Sequence, residues 1–449
     1  MATKTRSELL LNEPVRPLIL RLSVPTIISM LVVTFYNLAD TYFVSTINTS
    51  ASGATGIIFS VMMIIQAIAF TIGMGAGNCM SRLLGKGDKT AASNYLSTGW
   101  YLGFAVGCVI AVVGTIYCDR IVVALGATPT IEPYAVSYAK YIFYATPFVM
   151  CSLVMNNILR FQGYTLYAMY GIGAGAFINT ILDPIFIFNL DMGTAGAGLA
   201  TAISQTISFI ILLAMCNRRT DTLPIRVQDV RIKRKIFSDI FYTGMPSLAR
   251  QGISSISITM LNIAASTYGD AAIAALSISS RFTTFIDASV IGFGHGFQPV
   301  CSFNFGAQRF TRVRQAFHFS IAATSLMLLA MCIVCFPFAE NIVRLFRAED
   351  AEVVSIGTIV LKAQLVTMPL WGFYTMSNMF SQSIGYGWRA LLLACARRGL
   401  FLIPFILILT RSFGLFGLEI AQPASDVCSF VLAIFVIRSI MREIPVKNL

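Results

Sequence analysis

The chain has 449 residues, 56% of them hydrophobic and 12% charged, with a formal net charge of +12. Soluble domains carry about 25% charged residues. Half that content, with a mean hydropathy of +0.76, excludes an ordinary soluble domain and indicates a polytopic membrane protein. The basic residues lie in short segments between apolar runs, so membrane orientation accounts for them and nucleic acid does not.

The chain opens on polar residues, Lys4, Arg6, Ser7 and Glu8. The apolar stretch that follows is too long for the core of a signal peptide, so no cleaved targeting segment is expected. A spanning helix needs about 20 mostly apolar residues. Twelve segments qualify, at 20–46, 54–80, 94–117, 134–158, 163–189, 195–217, 237–266, 271–298, 314–338, 354–381, 388–410 and 415–439. The predicted fold is therefore an all-α membrane protein of twelve transmembrane helices in two six-helix bundles. Its parts are a cytoplasmic segment 1–19, a first bundle 20–217, a basic cytoplasmic linker 218–236, a second bundle 237–439 and a cytoplasmic tail 440–449. Most of the ten cysteines fall inside spans; Cys332 and Cys335 form a CxxC on an apolar segment, which reads as packing rather than metal or disulfide chemistry.

The loops test the count. With the N-terminus inside, the inner loops hold Arg82, Lys86 and Lys89; Arg160; Arg218, Arg219, Arg226, Arg231, Lys233, Arg234 and Lys235; Arg309, Arg312 and Arg314; Arg389; and Arg438, Arg442 and Lys447. The outer loops hold Arg120, and Arg344 and Arg347 balanced by Glu340, Glu349, Asp350 and Glu352. This alternation obeys the positive-inside rule and puts both termini in the cytoplasm; the compact loops and the expected lack of a cleaved targeting segment point to a plasma (inner) membrane. The chain also repeats. Gly73, Gly75, Gly77 and Gly87 recur 219 residues on as Gly292, Gly294, Gly296 and Gly306; Pro147, Asn156 and Gly163 recur 222 on as Pro369, Asn378 and Gly385. Six spans per repeat give both halves one orientation, so their pseudo-twofold axis runs along the membrane normal.

An ionisable residue inside a span is a functional hypothesis, because burying its charge is costly. The first half has Asp40 and Asp183. Counting from the span ends puts Asp40, Asp183 and Thr201, on three different spans, in one layer roughly 9 Å below the outer surface. Asn179 lies one turn before Asp183 on the same face. Pro184 has no N–H and frees the carbonyl of Thr180. Such oxygens suit a hard cation such as Na⁺, and two apposed carboxylates suit a proton equally well.

Several of these residues fall in recognisable motifs. Leu22-Ser23-Val24-Pro25 with Tyr36-Asn37-Leu38-Ala39-Asp40, Asp183-Pro184, Gln298-Pro299 with Asn304-Phe305-Gly306-Ala307, and Ala421-Gln422-Pro423 with Asp426 occur in order on the expected spans. Over nearly its whole length the chain resembles the multidrug and toxic compound extrusion (MATE) transporters. The resemblance implies two six-helix bundles forming a V and exchange of Na⁺ or H⁺ for organic, often cationic, compounds. It makes Asp40, Asn179, Asp183 and Thr201 the first-half cation site, and puts Tyr36, Asn37 and Asn156 on the first-half substrate cavity. Some members carry a glutamate in the seventh helix; here the corresponding stretch reads Pro246-Ser247-Leu248-Ala249-Arg250-Gln251, with no acid. A candidate second-half polar site is then Arg250, Gln251, Asp287 and Gln298, with Asp287 expected to pair with Arg281, Arg250 or one of Arg397 and Arg398. Glu419 is expected to reach water, and His295 to serve packing or hydration.

The resulting expectation is a secondary active antiporter, not an enzyme. It takes small organic cations as substrates, the lipid bilayer as its setting, and Na⁺ or H⁺ as coupling ion, with no cofactor, no other metal and a monomeric state. A flippase for lipid-linked saccharides shares the layout but would want a more basic central cavity. A membrane enzyme would need a catalytic cluster that His295 and His318 do not supply.

Overall fold

The computed structural model describes residues 6–217, 222–347 and 350–445, and every regular element among them is helical. The helices are α1 (Arg6–Asn12), α2 (Val15–Ser45), α3 (Thr49–Gly85), α4 (Lys89–Ile116), α5 (Cys118–Ala124), α6 (Glu132–Phe161), α7 (Thr165–Pro184), α8 (Gly193–Asn217), α9 (Arg234–Ser266), α10 (Asp270–Gly306), α11 (Phe310–Cys335), α12 (Ala339–Phe346), α13 (Ala351–Ser383), α14 (Gly387–Cys395) and α15 (Leu402–Glu443). Local chemistry sets several starts. Asn48, Asp88 and Asp350 cap α3, α4 and α13 by accepting from free first-turn amides.

Nine helical stretches among the described residues are long and apolar enough to cross a membrane. α9 and α10 are not among them, although they are 33 and 37 residues long. Arg250, Gln251 and nearby serines dilute the first, and Arg281 and Asp287 the second. One of the nine, Gly387–Glu443, spans 57 residues. It is broken at Gly414, whose backbone is left-handed (φ 60°, ψ −137°). A Cβ on Gly417 would lie 2.0 Å from the carbonyl oxygen of Leu409, so the chain doubles back there. The short helices α1, α5 and α12 lie outside the predicted spans.

The internal repeat is visible in the structure. Gly163 and Gly385 close α6 and α13 in the same left-handed conformation, at φ +86° and +91°. Asn156 donates to the carbonyl of Ala168 at 2.9 Å, and Asn378 to that of Ala390 at 2.7 Å. Two main apolar cores form, one from α3–α6 and one from α10–α15. The first helix of each repeat crosses between them. Leu18, Ile19 and Leu22 of α2 join the second core, while Ile236 and Ile240 of α9 pack with Ala76 of α3.

The halves meet tightly at the end carrying the basic loops. Every residue from Thr71 to Ser81 of α3 and from Gly292 to Asn304 of α10 is buried. The repeated glycines explain how backbones approach so closely. Cβ atoms on Gly75 and Gly244 would sit 2.0 Å from the carbonyl oxygens of Ile240 and Thr71. Toward the far end exposure rises, with Phe35 of α2 and Phe285 of α10 forming an edge-to-face pair 5.4 Å apart. Described residues 222–233 run beneath α4, where Ser97 and Thr98 accept from the amides of Arg226 and Arg231. Arg218, Arg219 and Lys447 lie outside the described residues.

One sequence expectation needs correction. Arg160 is not a loop residue: it is 3% exposed, turned inward from the end of α6.

Candidate functional site

Four helices converge on the first-half acids. α7 passes Asn179 and Asp183, then meets Pro184, which cannot donate a backbone hydrogen bond. The helix accommodates this with a π-helical turn, Ile185–Asn189. Asn179 Nδ2 lies 3.2 Å from Asp183 Oδ1 and 3.3 Å from Thr201 Oγ1 of α8. Asp40 of α2 lies close enough for its charge to interact with Asp183. The three helices singled out by the depth count meet here.

A fourth member was missed. Tyr138 of α6 donates its hydroxyl to Asp40, 2.9 and 2.8 Å from the two oxygens. Tyr138 is buried, and Gly198 of α8 makes room: a Cβ there would stand 2.8 Å from the Tyr138 carbonyl oxygen. The same depth count would have found it, since Tyr138 sits four residues into the span predicted from 134.

The cluster has acceptors to spare. Asp183 Oδ2 and Asn179 Oδ1 are buried without a hydrogen-bond partner, as is the Tyr36 hydroxyl. Unpartnered buried oxygens beside a second carboxylate are costly unless a cation or proton joins them. The donor set is all oxygen, which fits Na⁺ or H⁺ and not a soft transition metal. Asp40, Asn179, Asp183 and Thr201 would hold that cation. Tyr36 lies one turn from Asp40 on α2; Asn37 is partly exposed beside it. Asn156 donates to the carbonyl of Ala168 and is almost fully buried.

The second half is built differently. Asp287 of α10 meets Arg397 at 3.5 Å and Arg398 at 3.0 Å, so its partners are the tandem arginines rather than Arg281 or Arg250. Arg397 also binds Asp426 of α15 at 2.7 Å and lies over the Trp371 ring, 3.9 Å from its centroid. Asp426 further accepts from Trp371 Nε1 at 2.8 Å, Thr367 at 3.0 Å and Gln422 at 3.1 Å. A π-helical turn, Ala396–Phe401, presents both arginines, and its carbonyls at Arg397 and Arg398 accept from Ser425 and Ser257. A cavity of about 50 Å³ adjoins them, lined in part by Gln364, Arg397, Arg398 and Gln422. Both oxygens of Asp426 have donors, so Asp426 offers no free acceptor to a cation.

Gln298 lies three turns from Asp287 and donates to Gln382 Oε1 at 3.1 Å. Gln382 in turn donates to Ser247 and to the Thr243 carbonyl. Gln251 is partly exposed on α9, and Arg250 has no ion pair among the described residues. Glu419, expected to reach water, is 5% exposed.

The family model MatE matches residues 25–185 and 246–408 of this chain, one copy on each half. The chain is 28% identical over 428 residues, covering 95% of itself and 94% of its counterpart, to the multidrug export protein MepA of Staphylococcus haemolyticus. Among solved structures it is similar to a MATE in the straight conformation (TM-score 0.92, 27% identity, 98% of this chain and 99% of that one). It is equally similar to the outward-facing conformation of a multidrug resistance MATE family transporter of the MOP superfamily (TM-score 0.91, 27% identity, the same coverage).

Proposed function

The chain belongs to the multidrug and toxic compound extrusion family, and on that premise we propose that it exports small organic compounds, often cationic, in exchange for Na⁺ or H⁺ by alternating access. As a member of that family it is a multi-pass membrane transporter and not an enzyme. The proposed layout is twelve crossings in two bundles, 20–217 and 237–439, joined by the linker 218–236, with both termini on the cytoplasmic side of the plasma membrane. α9, α10 and the doubled-back Gly387–Glu443 stretch supply the crossings beyond those that hydropathy alone selects.

One observation carries the coupling: Asp40 and Asp183 share a buried cluster with Asn179, Thr201 and Tyr138, two of whose oxygens lack any donor. The basic end is read as the cytoplasmic one. The halves are closed there and looser at the far end, which corresponds to an outward-facing state. A cation from outside joins Asp40 and Asp183 and neutralises them. α2 then repacks, since one end of it carries Asp40 and the other is embedded in the second core. Tyr36 and Asn37 on the same helix are positioned to sense substrate. A coupling ion shifts the equilibrium only by its differential affinity for the two states, and a site assembled from four helices meets that condition.

The test is efflux of a fluorescent organic cation from proteoliposomes under an imposed Na⁺ gradient, then under a pH gradient, for wild type and Asp40→Asn. Efflux driven by one gradient and lost in the variant supports the antiporter and names the ion. No efflux under either gradient overturns it and directs attention to lipid-linked saccharides.

A further inference from the structure

The seam between the halves contains a positive charge with no acid to answer it. Arg160 of α6 is almost fully buried and makes no ion pair among the described residues. Its guanidinium donates to Asn157 Oδ1 and, at 2.5 Å, to Nδ1 of His295 on α10. Asn157 is fixed in turn by packing against Gly73 of α3. A guanidinium has no acceptor, so His295 Nδ1 must be the acceptor and the imidazole proton must sit on Nε2. That Nε2–H is itself buried with no partner. The surroundings add to the imbalance. Arg250 lies close enough to act on His295 electrostatically. In the second-half interior Asp287 and Asp426 are taken by Arg397 and Arg398, and Arg160 and Arg250 are left without an ion pair among the described residues.

A buried, unpaired guanidinium beside an orphan N–H donor is the negative image of an anion. An isolated buried charge is costly, and an oxyanion taking both donors would relieve it. Phe70 of α3 stacks on the His295 ring, 6.3 Å between centroids, so an aromatic body attached to the acid would find a flat apolar neighbour.

We propose that Arg160 and His295 are a recognition site for the acidic group, a carboxylate or sulfonate, of an aromatic compound carried by this transporter. The cargo then includes zwitterions and anions alongside cations. The assignment rests on the efflux reading above. In the present conformation the arginine and imidazole hold each other across the closed seam. When the halves part at the basic end, α6 and α10 separate, and both groups face the compartment from which cargo is loaded.

The test uses a rhodamine ester, a cation, and its free acid, a zwitterion with the same chromophore and one added carboxylate. Binding to the purified full chain in detergent is read by fluorescence anisotropy, and export by proteoliposome efflux, for wild type, Arg160→Gln and Arg160→Lys. We expect wild type to bind the acid more tightly than the ester. Arg160→Gln should weaken the acid about tenfold, the scale of one charge-assisted bond, and leave the ester within about twofold, which also reports that the variant is folded. Arg160→Lys should restore part of the preference. Equal binding of acid and ester by wild type, or a preference that survives in Arg160→Gln, overturns the proposal. So does a result in which inorganic sulfate raises wild-type Tm but not that of Arg160→Gln while acid and ester bind alike, because the site would then take a free anion and not cargo. If Arg160→Gln does not fold, Arg160→Lys decides, through its acid-to-ester ratio against wild type. Ester efflux without any acid preference leaves the antiporter standing and removes this site; Arg160-dependent acid binding without efflux of either probe does the reverse.

Discussion

The Tyr138 hydroxyl reaches both carboxylate oxygens of Asp40, at 2.9 and 2.8 Å, and so ties α6 to α2 at the level of the cation cluster. One O–H shared between two oxygens fixes the carboxylate plane and leaves its remaining lone pairs free for a cation. Tyr138→Phe should keep the fold and the export of an organic cation but raise the half-saturating coupling-ion concentration about tenfold to a hundredfold, the range of one hydrogen bond to a charged group. An unchanged ion dependence in proteoliposome efflux would remove Tyr138 from the site.

The Arg397–Asp426 pair should behave as a structural element. Asp426 is fully buried, so Arg397→Ala leaves a charge without its counterion and should destabilise the protein by about 3–5 kcal/mol. Replacing both, as Arg397→Met with Asp426→Leu, should recover most of that loss in a thermal melt. Equal destabilisation by the single and double variants would show that the pair is not the source.

Arg389 and Glu443 make the contrasting ion pair, 2.5 Å apart at the basic end and well exposed. The hydrogen bond from Arg389 holds the Glu443 carboxyl below its usual range. A depressed folded-state value means its contribution is present above the ordinary glutamate range and is lost as the pH falls through the folded value. Solvent screening keeps such a pair weak. Glu443→Gln should leave the melting temperature at pH 7 unchanged within error, and should flatten any acid-side decline only slightly.

Seam glycines should control which end is open. A Cβ on Gly306 would fall 1.9 Å from the Arg82 carbonyl oxygen, with no flexible side chain to yield. Gly306→Val should therefore hold the basic end apart. Cys79, buried on α3 beside Arg82, reports this. With Cys79 as sole cysteine, its maleimide labelling rate should rise at least about tenfold in the variant, the change expected if a minor open state becomes populated. A rate equal to that of the parent would contradict the closed-seam account.

Asn156 and Asn378 should respond alike, because each donates to the carbonyl twelve residues further on in the repeat-equivalent place, Ala168 or Ala390. Asn156→Ala and Asn378→Ala should each cost about 1 kcal/mol by removing a buried hydrogen bond that ties one helix to the next. Transport KM for a probe compound should stay near wild type for both; a selective rise in Asn156→Ala would place that residue in the substrate cavity.

Much of this protein is legible in one dimension. Apolar run length, charge alternation and the spacing of 219–222 residues follow from helix geometry and the bilayer's refusal of unpaired polar groups, and they require no contacts to be known. The same logic put Asp40, Asp183 and Thr201 in one layer, because depth along a spanning helix is a count of residues. What depth cannot supply is azimuth. Whether Asp287 turned toward Arg281, Arg250 or Arg398 depended on how α10 was rotated against its neighbours. Arg397 was captured by Asp426 and Trp371 only because a π-helical turn swung it inward. Arg160 looked like one more positive residue at a cytoplasmic helix end, and its inward turn onto His295, 135 positions away, was decided by the packing of α6 against α10. A helix's length and depth are properties of its own sequence. The direction its side chains face is a property of the neighbours it packs against, and only the assembled tertiary structure chose those.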